Sequence, residues 1–461
     1  MPTAPVDEQA LKAHYDRGQA LREAGQLDEA LAAYDAALAI KSDAVHPLVA
    51  RGIALRQLGR HEAALDAYEA ALAVDPTLGL VHCNRGNTLH DLMRFEEALQ
   101  AYDRGLQILP DFADLLANRA STLLEFRRLD EAEASCERAI KMHPPAQAFH
   151  AHMTLGLIKL LRGRFKEGFN RPGWRRFLAN GQGRFRGFDQ PLWWGETPLR
   201  GRTLLLHDDQ GLGDAIQFSR YAALFAQDAR VVLEVPKPLI RLMRGLKGPS
   251  QVIAFGEPPP PFDIRLALSS TPYAAGDLLP MSAPYLSAPE AEVKAWAERL
   301  GPWDRPRVGI AWAGSQAIKT NISRFLPLDA LLAAIPEGVE VAPLQPSLSL
   351  DDATRLDATG VRRTDLQITD FADTAGLMAN LDLIVSVDTS VIHLAGALGM
   401  QGRLLTLYTP DWRWLLDRED SPWYPSLRLY RQARAGDWAL PLERLRTELE
   451  GLKAQRGKTT A

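Results

Sequence analysis

A 34-residue period runs through the first third of the chain and constrains its fold more than any other feature. Gly18, Gly52, Gly86 and Ala120 share one phase; so do Ala30, Ala64, Ala98 and Ala132. Tyr34, Tyr68, Tyr102 and Cys136 share another, and Ala37, Ala71, Gly105 and Ala139 a fourth. Pro76, Pro110 and Pro144 fall in one phase near the repeat ends. A period of this length means an array of one supersecondary unit, each burying its apolar face on the next. Small residues at the Gly and Ala positions let two helices approach closely. The tyrosines are expected to fill the space between neighbouring hairpins. The prolines should end each second helix, because proline lacks an N–H and clashes inside a helix.

This Gly…Ala…Tyr…Ala…Pro spacing over four units resembles the tetratricopeptide repeat (TPR). The reading is an all-α solenoid over residues 1–178, with four clear repeats and a degenerate capping unit at 149–178. In that last unit Gly156 and Gly163 are present, but Arg171-Pro172-Gly173 breaks the second helix early. Function would lie between the columns, on the concave face. Asn84, Asn87, Asn118 and Arg119 are the candidates there for a peptide groove. Paired asparagines can hold a peptide backbone; the same residues equally suit a solvated helix face.

Charge separates this region from the rest. Residues 1–148 hold 15 Lys+Arg and 23 Asp+Glu, residues 149–200 hold 10 and 3, and residues 201–461 hold 28 and 31. The net charge of −4 gives no global basic field toward nucleic acid. The basic stretch alternates with aromatics such as Phe165, Phe169, Trp174, Trp193 and Trp194. That mixture can bind single-stranded nucleic acid, but a packed connector is favoured, with residues 179–200 as linker. A positive rim beside an anionic ligand is a third reading. Cys83 and Cys136 form neither a disulfide framework nor a zinc signature. No apolar run approaches the ~20 residues of a membrane span. The first residues lack a basic segment followed by an apolar one, so no signal peptide is expected and the cytoplasm is the expected compartment.

From residue 201 the pattern becomes alternating strand and helix. Apolar runs at 203–206, 231–235, 252–255, 308–312, 339–342, 383–387 and 404–407 read as strands, with helices between several of them. Such alternation predicts parallel sheets covered by helices. Two series, 201–300 and 301–461, predict two Rossmann-like halves facing a cleft. Ligands in such sheets bind beyond the carboxyl ends of the strands.

Two loops there carry candidate chemistry. His207-Asp208-Asp209-Gln210-Gly211-Leu212-Gly213-Asp214 follows a strand and opens a helix. Gly211 and Gly213 allow close approach by a ligand, but Ile216 stands where a dinucleotide fingerprint has its third glycine. Asp214 is an N-cap or a general base. Ser386-Val387-Asp388-Thr389-Ser390-Val391-Ile392-His393 runs from a buried strand into a small-residue helix expected to be capped by Asp or Ser. Free N–H groups at that helix start suit a diphosphate, and His393 is either a further donor or a structural residue.

Asp388 through His393-Leu-Ala-Gly-Ala-Leu-Gly399, with the upstream Gly211-x-Gly213-Asp214, resembles the two-Rossmann-domain (GT-B) glycosyltransferases of the heptosyltransferase type. TPR repeats fused to a GT-B unit also resemble the protein O-linked N-acetylglucosamine transferases. The resemblance implies Asp214 as the acceptor-activating carboxylate and His393 as its catalytic partner at the donor. It implies Asp388, Thr389, Ser390 and His393 at the donor phosphates, Lys319 as a phosphate-binding lysine and Gln345 at the nucleotide. Lys319-Thr320-Asn321-Ile322-Ser323-Arg324 departs from the His-x-Asn-Asp that often precedes the arginine in relatives. The aromatic-acidic stretch 410–425 stacks a base or sugar, or packs beneath a loop. The implied activity is inverting transfer from a nucleotide sugar, without metal or other cofactor, to a protein acceptor recruited by the repeats. Flagellin modified with a nonulosonic acid is the leading specific case. A non-catalytic TPR scaffold with a degenerate GT-B unit and a lipopolysaccharide sugar transferase are the alternatives. Oligomeric state is left open.

Overall fold

The computed structural model describes residues 7–144, 147–169, 187–276, 284–302, 304–314, 326–345 and 348–459, with the side chains of 457–459 excepted. The chain forms two compact units, residues 1–158 and 159–461.

The first unit is a solenoid of antiparallel hairpins. Its helices are α1 (Glu8–Glu23), α2 (Leu27–Ile40), α3 (Val45–Gln57), α4 (His61–Val74), α5 (Gly79–Asp91), α6 (Phe95–Ile108), α7 (Ala113–Glu125) and α8 (Leu129–Met142), followed by α9 (Phe149–Leu161). The tyrosine column works differently from the expectation. Each ring lies over the glycine of its own hairpin: a Cβ built on Gly18, Gly52 or Gly86 would come within 3.0 Å of Tyr34, Tyr68 or Tyr102. The tyrosine thus fixes helix spacing inside a unit. The fourth unit substitutes both partners, since Ala120 and Cys136 stand there, each fully buried. A smaller side chain on one helix makes room for the methyl on the other.

The hairpin turns require a left-handed residue. Gly25 and Gly59 supply it without strain, whereas Met93 and Arg127 take the same phase at φ 59° and 55°. Helices α4, α6 and α8 stop two residues before Pro76, Pro110 and Pro144. Helix α2 stops at the same phase with Ser42 in that place, so proline reinforces a boundary that packing already sets. A further periodic column ties the hairpins: Arg51, Arg85 and Arg119 pair with Asp35, Glu69 and Asp103 at 2.7, 3.1 and 2.6 Å.

The described residues of the second unit form two all-parallel sheets. The first is β1 (Thr203–His207), β2 (Arg230–Val235), β3 (Gln251–Ala254) and β4 (Ile264–Ala267), in the order β3-β2-β1-β4. The second is β5 (Arg307–Ala311), β6 (Glu340–Pro343), β7 (Leu383–Ser386), β8 (Gly402–Thr406) and β9 (Leu427–Arg431), in the order β6-β5-β7-β8-β9. This is the expected α/β GT-B arrangement. Val308, Ile310 and Val385 are fully buried between layers of helix. The C-terminal helix Ala439–Thr459 closes the second sheet with Leu445 and Leu449. Its Glu448 pairs with Arg403 and accepts from the Tyr430 hydroxyl at 2.7 Å.

Strand order reverses between β1 and β4 in one sheet and between β5 and β7 in the other. Ligand crevices open at such reversals, beyond the strand ends. Both candidate loops leave from these points, one after β1 and one after β7. The connector aromatics that are described pack as a seam of this unit. Phe165 and Phe169, in α10 (Phe165–Phe169), meet Trp412 and Trp423 at ring distances of 5.4 to 6.2 Å. Trp193 meets Phe225 at 5.4 Å. Trp174 and the arginines from 171 to 186 lie outside the described residues.

Candidate functional site

The loop after β1 runs into α11 (Leu212–Ser219). Asp214 occupies the third helical position and accepts the Gly211 N–H at 3.2 Å, so its carboxylate satisfies a donor that the helix leaves unpaired. The helix breaks after Ser219 and resumes at Ala222. Asp209, one turn of chain earlier, is buried and accepts from the Ser269 N–H at 3.2 Å and the Ser269 hydroxyl at 2.5 Å. It thereby ties the loop after β1 to the one after β4. Burial pushes its carboxyl up to about 6 despite the serine bonds, with the Asp214 charge adding to the rise.

The loop after β7 enters a helix of the second half, Ser390–Ala397. Its cap is Thr389, not Asp388 or Ser390 as expected. The Thr389 hydroxyl oxygen accepts the Val391 N–H at 3.2 Å, and Ser386 holds that hydroxyl at 2.9 Å. Thr389 takes the cap because it is the extended residue directly before the first helical turn, where a side-chain oxygen reaches the free N–H groups. Asp388 is thereby left facing His393, with Oδ1 3.8 Å from Nε2.

His393 brings the two halves together. A Cβ on Gly213 would stand 2.9 Å from His393 Cδ2, so only glycine fits there. The imidazole is 5% exposed and lies against Trp414 at 5.2 Å. Its Nδ1 pairs with the Tyr424 hydroxyl at 3.0 Å. Burial, reinforced by the Arg413 charge, pushes the imidazole down to about 3, so it is neutral at physiological pH. The expectation of a donor at the phosphates is thereby narrowed to a neutral, enclosed imidazole.

Arg413, to which the sequence pattern assigns no role, joins the loops electrostatically. It makes an ion pair with Asp214. Its Nη1 donates to Asp411 at 2.8 Å and its Nε to Gln217 at 2.7 Å. The guanidinium also lies 4.5 Å from the Trp412 ring. The neighbouring carboxylates hold it charged although burial opposes this. Its signal is Asp411-x-Arg413, in a stretch that stands out in the sequence for its aromatics. Those aromatics are core: Trp412, Trp414, Trp423 and Tyr424 are each at most 4% exposed, so packing, not stacking on a ligand, is their role.

The other expected residues separate. Gln345 is buried at the end of the second sheet, where its Oε1 accepts the N–H groups of Trp312 and Ala313 at 3.3 and 3.2 Å. It shapes the loop after β5 through those bonds. Lys319 lies outside the described residues. Among the described residues no cluster of His, Cys, Asp and Glu forms a metal site, and no helix is long and apolar enough to cross a membrane.

In the solenoid, Asn84, Asn87 and Asn118 line a cavity of about 380 Å³ with Leu80, Asp114 and His150. Asn118 donates to Asn87 Oδ1 at 2.8 Å, and the Tyr102 hydroxyl donates to the same oxygen at 2.8 Å. Arg119 does not join them. It turns to Asp103 and to the Ser135 hydroxyl, 3.0 Å away, as the third member of the periodic ion-pair column.

Known proteins match both regions. Models described as TPR or tetratricopeptide repeats match residues 11–44, 52–93, 80–112 and 117–169. A model of glycosyltransferase family 9 (heptosyltransferase) matches residues 338–417, which include Asp388, His393 and Arg413. The chain is similar to Protein FlbA of Caulobacter vibrioides, at 27% identity over 296 residues, 57% of this chain and 48% of FlbA. It therefore spans about half the length of that curated relative. Among solved structures, YrrB, a TPR protein with an unusual peptide-binding site, is 21% identical over 34% of this chain and 79% of its own, at a TM-score of 0.29. MamA from Desulfovibrio magneticus RS-1 is 18% identical over 37% of this chain and 94% of its own, at a TM-score of 0.33. At such scores the repeat assignment stands on the sequence columns and the matched repeat models. The chain joins tetratricopeptide repeats to an α/β unit carrying a glycosyltransferase family 9 segment, and this supports glycosyl transfer.

Proposed function

We propose that this protein transfers a sugar from a nucleotide-sugar donor to a protein acceptor presented by the repeats, in the cytoplasm, with flagellin as the first acceptor to test and a nonulosonic acid as the first sugar. One observation carries the reading. The loops at the strand-order reversals of two parallel sheets meet, Gly213 against His393 and Asp214 against Arg413, and the second loop lies within the matched glycosyltransferase family 9 span.

The proposed chemistry is inversion without a metal. Asp214 takes the proton of the acceptor hydroxyl as its oxygen bonds to the anomeric carbon. The bond from that carbon to the donor phosphate breaks, and the nucleotide leaves with the electron pair. The free N–H groups at the start of Ser390–Ala397, together with Lys319, hold the leaving phosphate. His393 serves there by position. Its Nδ1 is paired with the Tyr424 hydroxyl, and its Nε2 faces Asp388. Gly211 and Gly213 let the donor approach the backbone. Asn84, Asn87 and Asn118 hold the acceptor polypeptide.

The test pairs a thermal-shift screen of nucleotide sugars with Asp214→Ala. The stabilising donor should raise the melting temperature of both proteins alike, because binding to the native state alone stabilises it, while transfer to protein is lost in the variant. Full transfer by Asp214→Ala overturns the base assignment. Absence of stabilisation by every nucleotide sugar favours the scaffold reading.

A further inference from the structure

We propose that Arg413 is the positioning residue for Asp214, so that the base becomes competent only when the two halves of the α/β unit are apposed. This rests on the base assignment above.

The two groups come from opposite halves. Asp214 follows β1 of the first sheet, and Arg413 follows β8 of the second. The guanidinium nitrogens divide three partners between them. Nη2 grips Asp214 Oδ1, Nη1 grips Asp411, and Nε grips Gln217 of the same helix as Asp214. A planar fork does this because its donors point in fixed directions, which a lysine ammonium cannot imitate. The other oxygen of Asp214 is held by the Gly211 N–H. The carboxylate is thereby fixed at both oxygens, once by its own half and once by the other. Its side chain keeps 21% exposure, against 12% for Arg413, so the acid is the more accessible member of the pair.

The charges around this pair decide the sign of any pH effect. Arg413 is the cation against Asp214. Asp411 and Asp388 add negative charge from the second half, whereas Asp209, held up to about 6 by burial, adds it from the loop after β1 only above that pH. His393 is neutral and adds none. Removing the arginine takes a positive charge out of this cluster, and removing the Asp411 charge takes out a negative one, so the two substitutions push an acidic limb in opposite directions.

The experiment measures kcat, the donor KM and the acidic limb of the kcat/KM profile in the full chain. Arg413→Gln should lower kcat about a hundredfold, the size expected for a reacting group misplaced by about 1 Å. Its acidic limb should move to higher pH, with donor KM within about twofold of the wild type. Arg413→Lys keeps the charge and loses the fork, so kcat should fall while the limb stays. Asp411→Asn should move the limb the opposite way, to lower pH. A merely structural arginine would change melting temperature but not shift the limb in opposite directions. Wild-type kcat and an unmoved limb in Arg413→Gln overturn the inference. Should that variant fail to fold, unchanged kcat in Arg413→Lys with an unmoved limb in Asp411→Asn overturns it equally. Asp214→Asn separates the two levels. If it is fully active, the base assignment falls; if it is inactive while the arginine variants behave as wild type, only the positioning role falls.

Discussion

Lowering the pH from about 7.5 to about 5 should weaken the second unit through His393, and His393→Gln should abolish that contribution. The folded imidazole is held down to about 3 by burial and by the Arg413 charge. In the unfolded chain a histidine takes its proton near the ordinary value of about 6.5. Between these values the unfolded state binds the extra proton. The stabilising contribution is therefore complete above about pH 6.5 and is lost as pH falls toward about 3. Each unit within that window is about a tenfold change in the folding equilibrium, so the loss from about pH 6.5 to about pH 5 is about 2 kcal/mol. Asp209 opposes it. Its folded carboxyl, raised to about 6 from 3.8, holds a proton that the unfolded chain releases. Its contribution is greatest below about pH 4 and fades as pH rises to about 6. The two slopes nearly cancel between about pH 4 and pH 6, so the wild type alone is uninformative. The difference between wild type and His393→Gln isolates the histidine. Urea unfolding followed by tryptophan fluorescence reads the correct unit, because all 10 tryptophans lie beyond residue 158. A wild-type-to-variant gap in unfolding free energy that is the same at about pH 5 and about pH 7.5 would refute the neutral, buried imidazole.

Two further substitutions test packing that the structure makes explicit. Gly213→Ala places a methyl 2.9 Å from His393 Cδ2, so the halves must part or the imidazole must turn. Melting by tryptophan fluorescence should show a loss of about 1–3 kcal/mol, the usual cost of overpacking, and transfer should fall by at least tenfold. In the solenoid, Gly52→Ala should cost about 1–3 kcal/mol against the Tyr68 ring, and Tyr68→Cys about 3–5 kcal/mol. The double variant recreates the Ala120–Cys136 pair of the fourth unit and should recover about 1–2 kcal/mol relative to their sum. Far-UV circular dichroism in urea checks this, and strictly additive losses would refute the coupling.

Much of the fold is legible in the sequence because its signals are periodic. The 34-residue columns identify the hairpins, and seven apolar runs mark seven of the nine strands among the described residues. The two strands without such a run, β4 and β9, carry Arg265, Arg428 and Arg431. A buried arginine breaks an apolar run: Arg265 is 7% exposed, and its Nε donates to the Gln190 carbonyl at 2.9 Å. Such pairing depends on a segment 75 residues away and leaves no local trace. The tyrosine column is visible as a period, but its partner is not, because a period does not say which face of a helix meets which neighbour. Arg119 falls outside the expected groove for the same reason. Its recurrence with Arg51 and Arg85, and that of Asp35, Glu69 and Asp103, is the structural signal in the sequence.

The sequence by itself determined the repeat architecture, the parallel α/β unit and the two loops that leave β1 and β7. These follow from short-range rules: helix and strand periods, glycine at turns, and polar groups at helix starts. Only the tertiary structure decided what those loops do to one another. It set Gly213 against His393, made that imidazole neutral by enclosing it, and placed Arg413 on Asp214 from 199 residues away. The physical reason is that burial and charge pairing are properties of neighbours in space. A residue's type sets what it can bind, whereas its surroundings set its protonation and the direction in which it points.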